Sequence, residues 1–284
     1  SQTASHSLVA VDEKSQHGGS GGSLHLFCRL PGLKLIEADS PLSYADQQVS
    51  QYRRTVALIG EGKDQVLVDV FRVKGGAQHD YLVGSQGQDF QVVGVDLGPE
   101  EDGSLAGTEN AWGERQGVDG DILGFPNKPY WNPPPGNGYG FFYDARRGRT
   151  AKPWSVDWSL GGPNQARFRV HVLPEGENEA IVAKAPGLYP HNRNASYLVD
   201  RRRGEDLSSC FVSVMEPYAA AAPPGGVPAE ELARLKTGSS AETKLMPEYD
   251  AFLLKGAKPG DQMTFAVPVE RAGVHQIAAR VLQA

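Results

Sequence analysis

Apolar and polar residues alternate with period two in short runs along most of this 284-residue chain. That is the spacing of half-buried β-strands. The runs are 7–11 (SLVAV), 23–30 (SLHLFCRL), 33–38 (LKLIEA), 53–60, 64–73, 89–97, 139–145 (YGFFYDA), 154–160 (WSVDWSL), 166–173 (ARFRVHVL), 179–185 and 209–216 (SCFVSVME). Turn-rich clusters such as GGSGG, GEGKD, KGGAQ and PEGEN separate them. Many short strands with regular turns predict an all-β, antiparallel β-sandwich rather than βαβ units. One helix is expected at 228–236 (PAEELARLK), where Pro opens the run, acids come early and bases late. The domain reading is a sandwich over 1–218 and a linker with that helix over 219–245. Three further runs in 246–284 either close the sandwich or start a second β-domain.

Composition adds bounds. Hydrophobic residues make up 39%, enough for a buried core, and 34 Gly with 20 Pro favour turns over helices. The net charge of −6 is mild for this length and leaves room for local basic patches. Cys28 and Cys210 are too few for a disulfide framework; they read either as two buried thiols or as one structural disulfide. No apolar run reaches the length of a membrane-spanning helix. The chain opens directly on strand and turn, so the natural protein is expected to begin further upstream. Asn194-Ala-Ser fits a glycosylation sequon. HExxH, GxSxG and CxxC motifs are absent, and no nucleotide loop or nucleic-acid module is recognised.

The ordered set TASHSLVAVDEKSQ, EADSPLSY, YRRTVALI, VLVDVFRVKGGAQHDYLV, GYGFFYDARRG, WSVDWSL, RFRVHVLP and FVSVMEPY spans about residues 6–218. It resembles the C-terminal β-sandwich (a supersandwich) of the heparinase II/III-like polysaccharide lyases. That resemblance implies a secreted or periplasmic bacterial protein. It implies action on uronate-containing polysaccharide by β-elimination, or a non-catalytic carbohydrate-binding or structural role on the same fold. In the family an N-terminal α-helical toroid carries much of the cleft and the usual catalytic Tyr. No toroid-like segment occurs in this sequence, so the catalytic residues are unassigned and the toroid becomes an expected partner.

The resemblance also implies a structural divalent metal, usually zinc, held by His6 (ASHS), Asp39 (EADS) and His79 (GGAQHDY). Two imidazoles and a carboxylate are a sound zinc donor set. The plainer alternative is two strand-end histidines and a turn-capping acid. Some relatives carry a catalytic His two residues before the first metal His; Ala4 stands there, and Ser7 stands where Asn is common. Arg146 and Arg147, Tyr139 and Trp131 are the candidate substrate contacts: guanidinium forks suit carboxylates and sulfates, and Trp131 sits in a Pro-rich loop as a stacking platform. The Arg53–Arg54 and Arg201–Arg203 clusters read either as further contacts or as solvated, paired residues. Tyr44, Tyr81, Trp154 and Trp158 read as core aromatics.

Overall fold

The computed structural model describes residues 2–62, 65–109, 135–162, 165–187 and 194–219. It adds the backbone of four C-terminal strands at 242–246, 251–255, 263–268 and 274–279, which pair as two hairpins. Trp131 and the helix expected at 228–236 lie outside the described residues.

Thirteen strands build two antiparallel sheets. They are β1 (Val9–Val11), β2 (Ser23–Leu30), β3 (Leu33–Asp39), β4 (Gln51–Ile59), β5 (Val66–Lys74), β6 (Gln78–Gln86) and β7 (Phe90–Val93), then β8 (Tyr143–Thr150), β9 (Trp154–Gly161), β10 (Ala166–Leu173), β11 (Asn178–Pro186), β12 (Asn194–Arg203) and β13 (Ser208–Ala219). The small sheet runs β1-β6-β12-β11-β8 and the large sheet β2-β3-β4-β5-β13-β10-β9-β7. The expected β-sandwich is therefore the observed architecture. β13 is the seam of the large sheet, pairing with β5 on one side and β10 on the other.

Alternation explains most of these strands. In β9 (WSVDWSL), Trp154, Val156 and Trp158 face the small sheet and are fully or almost fully buried, as the two-residue period requires. They join Phe71, Val170, Val172 and Phe211 of the large sheet and Val9, Tyr81, Val83 and Leu198 of the small sheet in one core. The small sheet's other face is also covered. Leu82, Ile181, Ala183 and Val199 pack there with Ala4, Leu105, Tyr139 and Phe142.

Two strands escape the period. β6 (QHDYLVGSQ) is buried at five consecutive positions, His79 to Val83, because both faces of this central strand are covered. β12 hides Asp200 and Arg201. The run at 139–145 splits: Tyr139–Phe141 forms a 3-10 turn, and the strand starts at Tyr143. Cys28 on β2 and Cys210 on β13 are thiols separated by three intervening strands.

Polar groups bridge the two sheets inside the core. Asp69 on β5 has no exposed surface. Arg54 grips both its oxygens at 2.9 and 2.7 Å, and the Tyr81 hydroxyl donates to it at 2.8 Å while contacting Ser213 Oγ at 2.6 Å. Removing one partner of such a group strands a buried charge. Asp69→Ala is therefore expected to cost about 3–5 kcal/mol, read as a lower denaturant midpoint at unchanged m-value.

Candidate functional site

The arginine clusters converge at one end of the small sheet. The last residues of β8 and β12, the first of β11 and the β10–β11 turn enclose a cavity of about 390 Å³. Its charged lining comes from Arg149, Arg201, Arg202 and Arg203 with Glu175, Glu177 and Glu179. Strand alternation sets their roles. Arg202 points between the sheets: it pairs with Glu175 at 3.1 Å, donates to the Cys210 carbonyl at 3.1 Å and lies 4.7 Å from the Phe211 ring centroid. Arg201 points to the opposite face and is consumed by a bidentate pair with buried Asp80 at 2.7 and 2.8 Å. Arg149 and Arg203 lie at the rim, with 73% and 55% of their side chains exposed. They meet Glu177 at 3.1 Å and Glu179 at 3.2 Å. Exposed pairs of this kind are worth only about 0–1 kcal/mol. An incoming carboxylate or sulfate can replace the glutamates at small cost.

Beneath the groove lies Asp200, fully buried. Asn178 donates to one of its oxygens at 2.7 Å. The Trp154 indole N–H approaches the carboxyl without completing a hydrogen bond, leaving Trp154 Nε1 and Asp200 Oδ1 unbonded among the described residues. Burial lifts the Asp200 pKa to about 7, against the pull of Arg202.

The other candidate residues fall elsewhere. Arg147 stands beside the groove and is held by Glu101 at 2.8 Å and Glu179 at 3.3 Å. Arg146 donates to the Gly98 and Leu97 carbonyls and so fastens that loop. Tyr139 is a correction to the reading of a substrate contact: it has no exposed surface, and its hydroxyl donates to Asp80 at 2.6 Å. The groove thus uses Arg149, two residues along β8 from Arg147 and on the same sheet face, rather than the two arginines first singled out.

His6, Asp39 and His79 do not fit a shared metal ion. His6 is exposed after the first 3-10 turn. His79 is buried with both ring nitrogens engaged: Nε2 donates to the Gly75 carbonyl at 2.6 Å, so Nδ1 accepts from Ser209 at 2.8 Å and keeps no lone pair for a metal. Gly75 can present that carbonyl because it adopts a φ of 109°, and a Cβ there would strike the Gln48 carbonyl. Asp39 instead meets His25 at 2.6 Å and Arg53 at 3.3 Å. His25 was missed in sequence; the β2–β3 hairpin register, shifted by a bulge between Leu24 and Leu26, is what brings it to Asp39. Among the described residues no group of three or more His, Cys, Asp or Glu side chains could hold a metal ion.

No protein-family model and no curated protein matches the chain. Solved structures do. A heparinase III gene product superposes with a TM-score of 0.50 at 11% identity, covering 99% of this chain and 31% of that one. The heparan sulfate lyase HepC from Pedobacter heparinus gives a TM-score of 0.47 at 12% identity, covering 100% of this chain and 32% of that one. The chain thus shares its fold with part of the heparinase III gene product, and it spans about a third of the length of the structures it matches.

The buried carboxyl makes a pH prediction. Its folded pKa of about 7 lies above the ordinary value of 3.8, so the native state binds this proton more tightly than the unfolded chain. Its effect on stability is most favourable below about pH 4 and is lost as pH rises toward 7. Burial lowers the His79 pKa, which acts in the opposite direction as pH falls below 6.5. Asp200→Asn removes only the first effect. It is expected to raise the melting temperature at pH 8 by more than at pH 5, as followed by circular dichroism.

Proposed function

We propose that this chain is the β-sandwich portion of a secreted or periplasmic polysaccharide lyase acting on uronate-containing polysaccharide. A helical toroid of the same or a companion chain would complete it. The main support is the fold shared with the heparinase III gene product over 99% of this chain. The arginine groove supplies fitting chemistry. β-Elimination removes a proton beside a uronate carboxylate and needs that carboxylate's charge neutralised. Guanidinium forks at Arg149 and Arg203 match carboxylate and sulfate geometry, and each can exchange its glutamate for a ligand anion. The sandwich's task in this reading is to grip and orient the acidic chain.

One observation favours a second reading, a carbohydrate-binding module without elimination chemistry. Tyr44, Tyr81 and Tyr139 have no exposed surface, and burial pushes all three phenols well up from their ordinary pKa. None can serve as a surface base.

The chain is expected to bind heparan sulfate or alginate on an affinity gel in a salt-sensitive way. Arg149→Ala/Arg203→Ala should weaken that binding by about tenfold, or roughly 1.4 kcal/mol, and flatten its salt dependence. Absorbance of unsaturated uronate, recorded in parallel, separates the readings: product formation supports the lyase portion, binding alone the module. Absence of binding even at low salt would remove both.

A further inference from the structure

Three buried polar atoms under the arginine groove lack partners among the described residues: Asp200 Oδ1, Trp154 Nε1 and Arg202 Nε. The first accepts hydrogen bonds and the other two donate them. Asp200 and Arg202 stand two residues apart on one face of β12, about 6.6 Å along the strand. The Trp154 indole approaches the same carboxyl from β9.

The other polar groups around Asp200 are already committed. Asn178 of β11 donates to Oδ2 at 2.7 Å. β6 places Tyr81 opposite Asp200 and His79 opposite Arg202. The Tyr81 hydroxyl is taken by Asp69, itself held by Arg54, and by Ser213. The His79 ring is taken by the Gly75 carbonyl and Ser209. Asp80 opposes ionisation of Asp200 from the far face of the sheet, where Arg201 pairs it. Arg202 is the cation whose charge pulls on Asp200, yet its other nitrogens work elsewhere. Nη1 pairs with Glu175 at 3.1 Å and Nη2 donates to the Cys210 carbonyl at 3.1 Å.

A neutral carboxyl suits this arrangement. A buried carboxylate with one neutral hydrogen bond does not, and it needs further donors. The free donors at hand are Arg202 Nε and Trp154 Nε1. Turning Arg202 onto Oδ1 loosens its hold on Glu175, which lines the groove with 61% of its side chain exposed. Ionisation thus adds one negative charge beneath the groove and uncovers another in its wall. We infer that Asp200 is a proton-linked control on the groove: protonated, it leaves Arg202 on Glu175 and the groove receptive to a carboxylate or sulfate; ionised, it draws Arg202 inward and repels that ligand. A pKa of about 7 puts the transition within the neutral range. The inference rests on the groove being an anion site, as the proposed function has it, and not on which polymer supplies the anion.

Inorganic sulfate, whose charge is constant between pH 6 and pH 8.5, is the probe. Carbon-detected NMR of the Arg149 and Arg203 Cζ atoms in the full chain reads its binding at the groove. Affinity should fall about fivefold from pH 6 to pH 8.5, within the usual range for coupled sites. In Asp200→Asn every histidine remains, so the fall should vanish only if Asp200 causes it. Coupling is reciprocal, so in the unaltered chain the Asp200 Cγ titration midpoint should rise by about 0.7 with sulfate saturating, the logarithm of the same fivefold. That second measurement needs no variant to fold. A slope that persists in Asp200→Asn, a midpoint that sulfate leaves in place, or no sulfate binding at the groove at either pH would each overturn the inference. Should heparan sulfate fail to bind while sulfate shows the Asp200-dependent slope, the inference stands and the polysaccharide reading falls.

Discussion

The arrangement of the two sheets depends on a carboxylate that has no contact with water. Asp69 sits at mid-sandwich and is tolerated only because Arg54, Tyr81 and the neighbouring Ser213 surround it. Apolar contact between two sheets is non-directional and leaves them free to slide. Hydrogen bonds to a buried charge are not. Tyr81 reaches this cluster from the small sheet, His79 reaches Ser209, Trp158 reaches Ser196, and Arg202 reaches the Cys210 carbonyl. Together these bridges fix the offset between the layers. That offset carries β2 and β3 past the edge of the small sheet at one side and opens the arginine groove at the other.

The arginine groove forms where β8, β11 and β12 end. The groove's own charge is nearly balanced by its glutamates, so its long-range pull on an anion is weak.

Most of the outer strands were legible because one of their faces alternates cleanly, as in SLHLFCRL and WSVDWSL. β6 and β12 were not, and the reason is physical. His79, Asp80, Asp200 and Arg201 are polar residues buried at the centre of the small sheet, where partners replace water. Asp80 is satisfied by Arg201 and Tyr139, which come from elsewhere in the chain. No period in the local sequence records such pairing. The candidate site behaved similarly. The arginine clusters were visible, but which members line the groove depends on where β8 and β12 end beside the β10–β11 turn, a matter of the tertiary fold. Likewise Asp39 read as one member of a distant triad, while its neighbour in the fold, His25, lies just across a hairpin with a bulge.

The position of β13 has a consequence for how the chain can be made. β2 to β5 form a continuous hairpin meander that can assemble from local contacts, and β9 with β10 form a second. Neither can join the other until residues 208–219 leave the ribosome, because β13 is the strand between them. Until then β5 and β10 each present an open edge, although every strand of the small sheet has already been made. Closure by a last strand of high sequence separation is slow and exposes sticky intermediates. A nascent chain halted before Ser208 would hold all strands of the small sheet but a large sheet split in two, which makes this segment the point at which synthesis commits the protein to its fold.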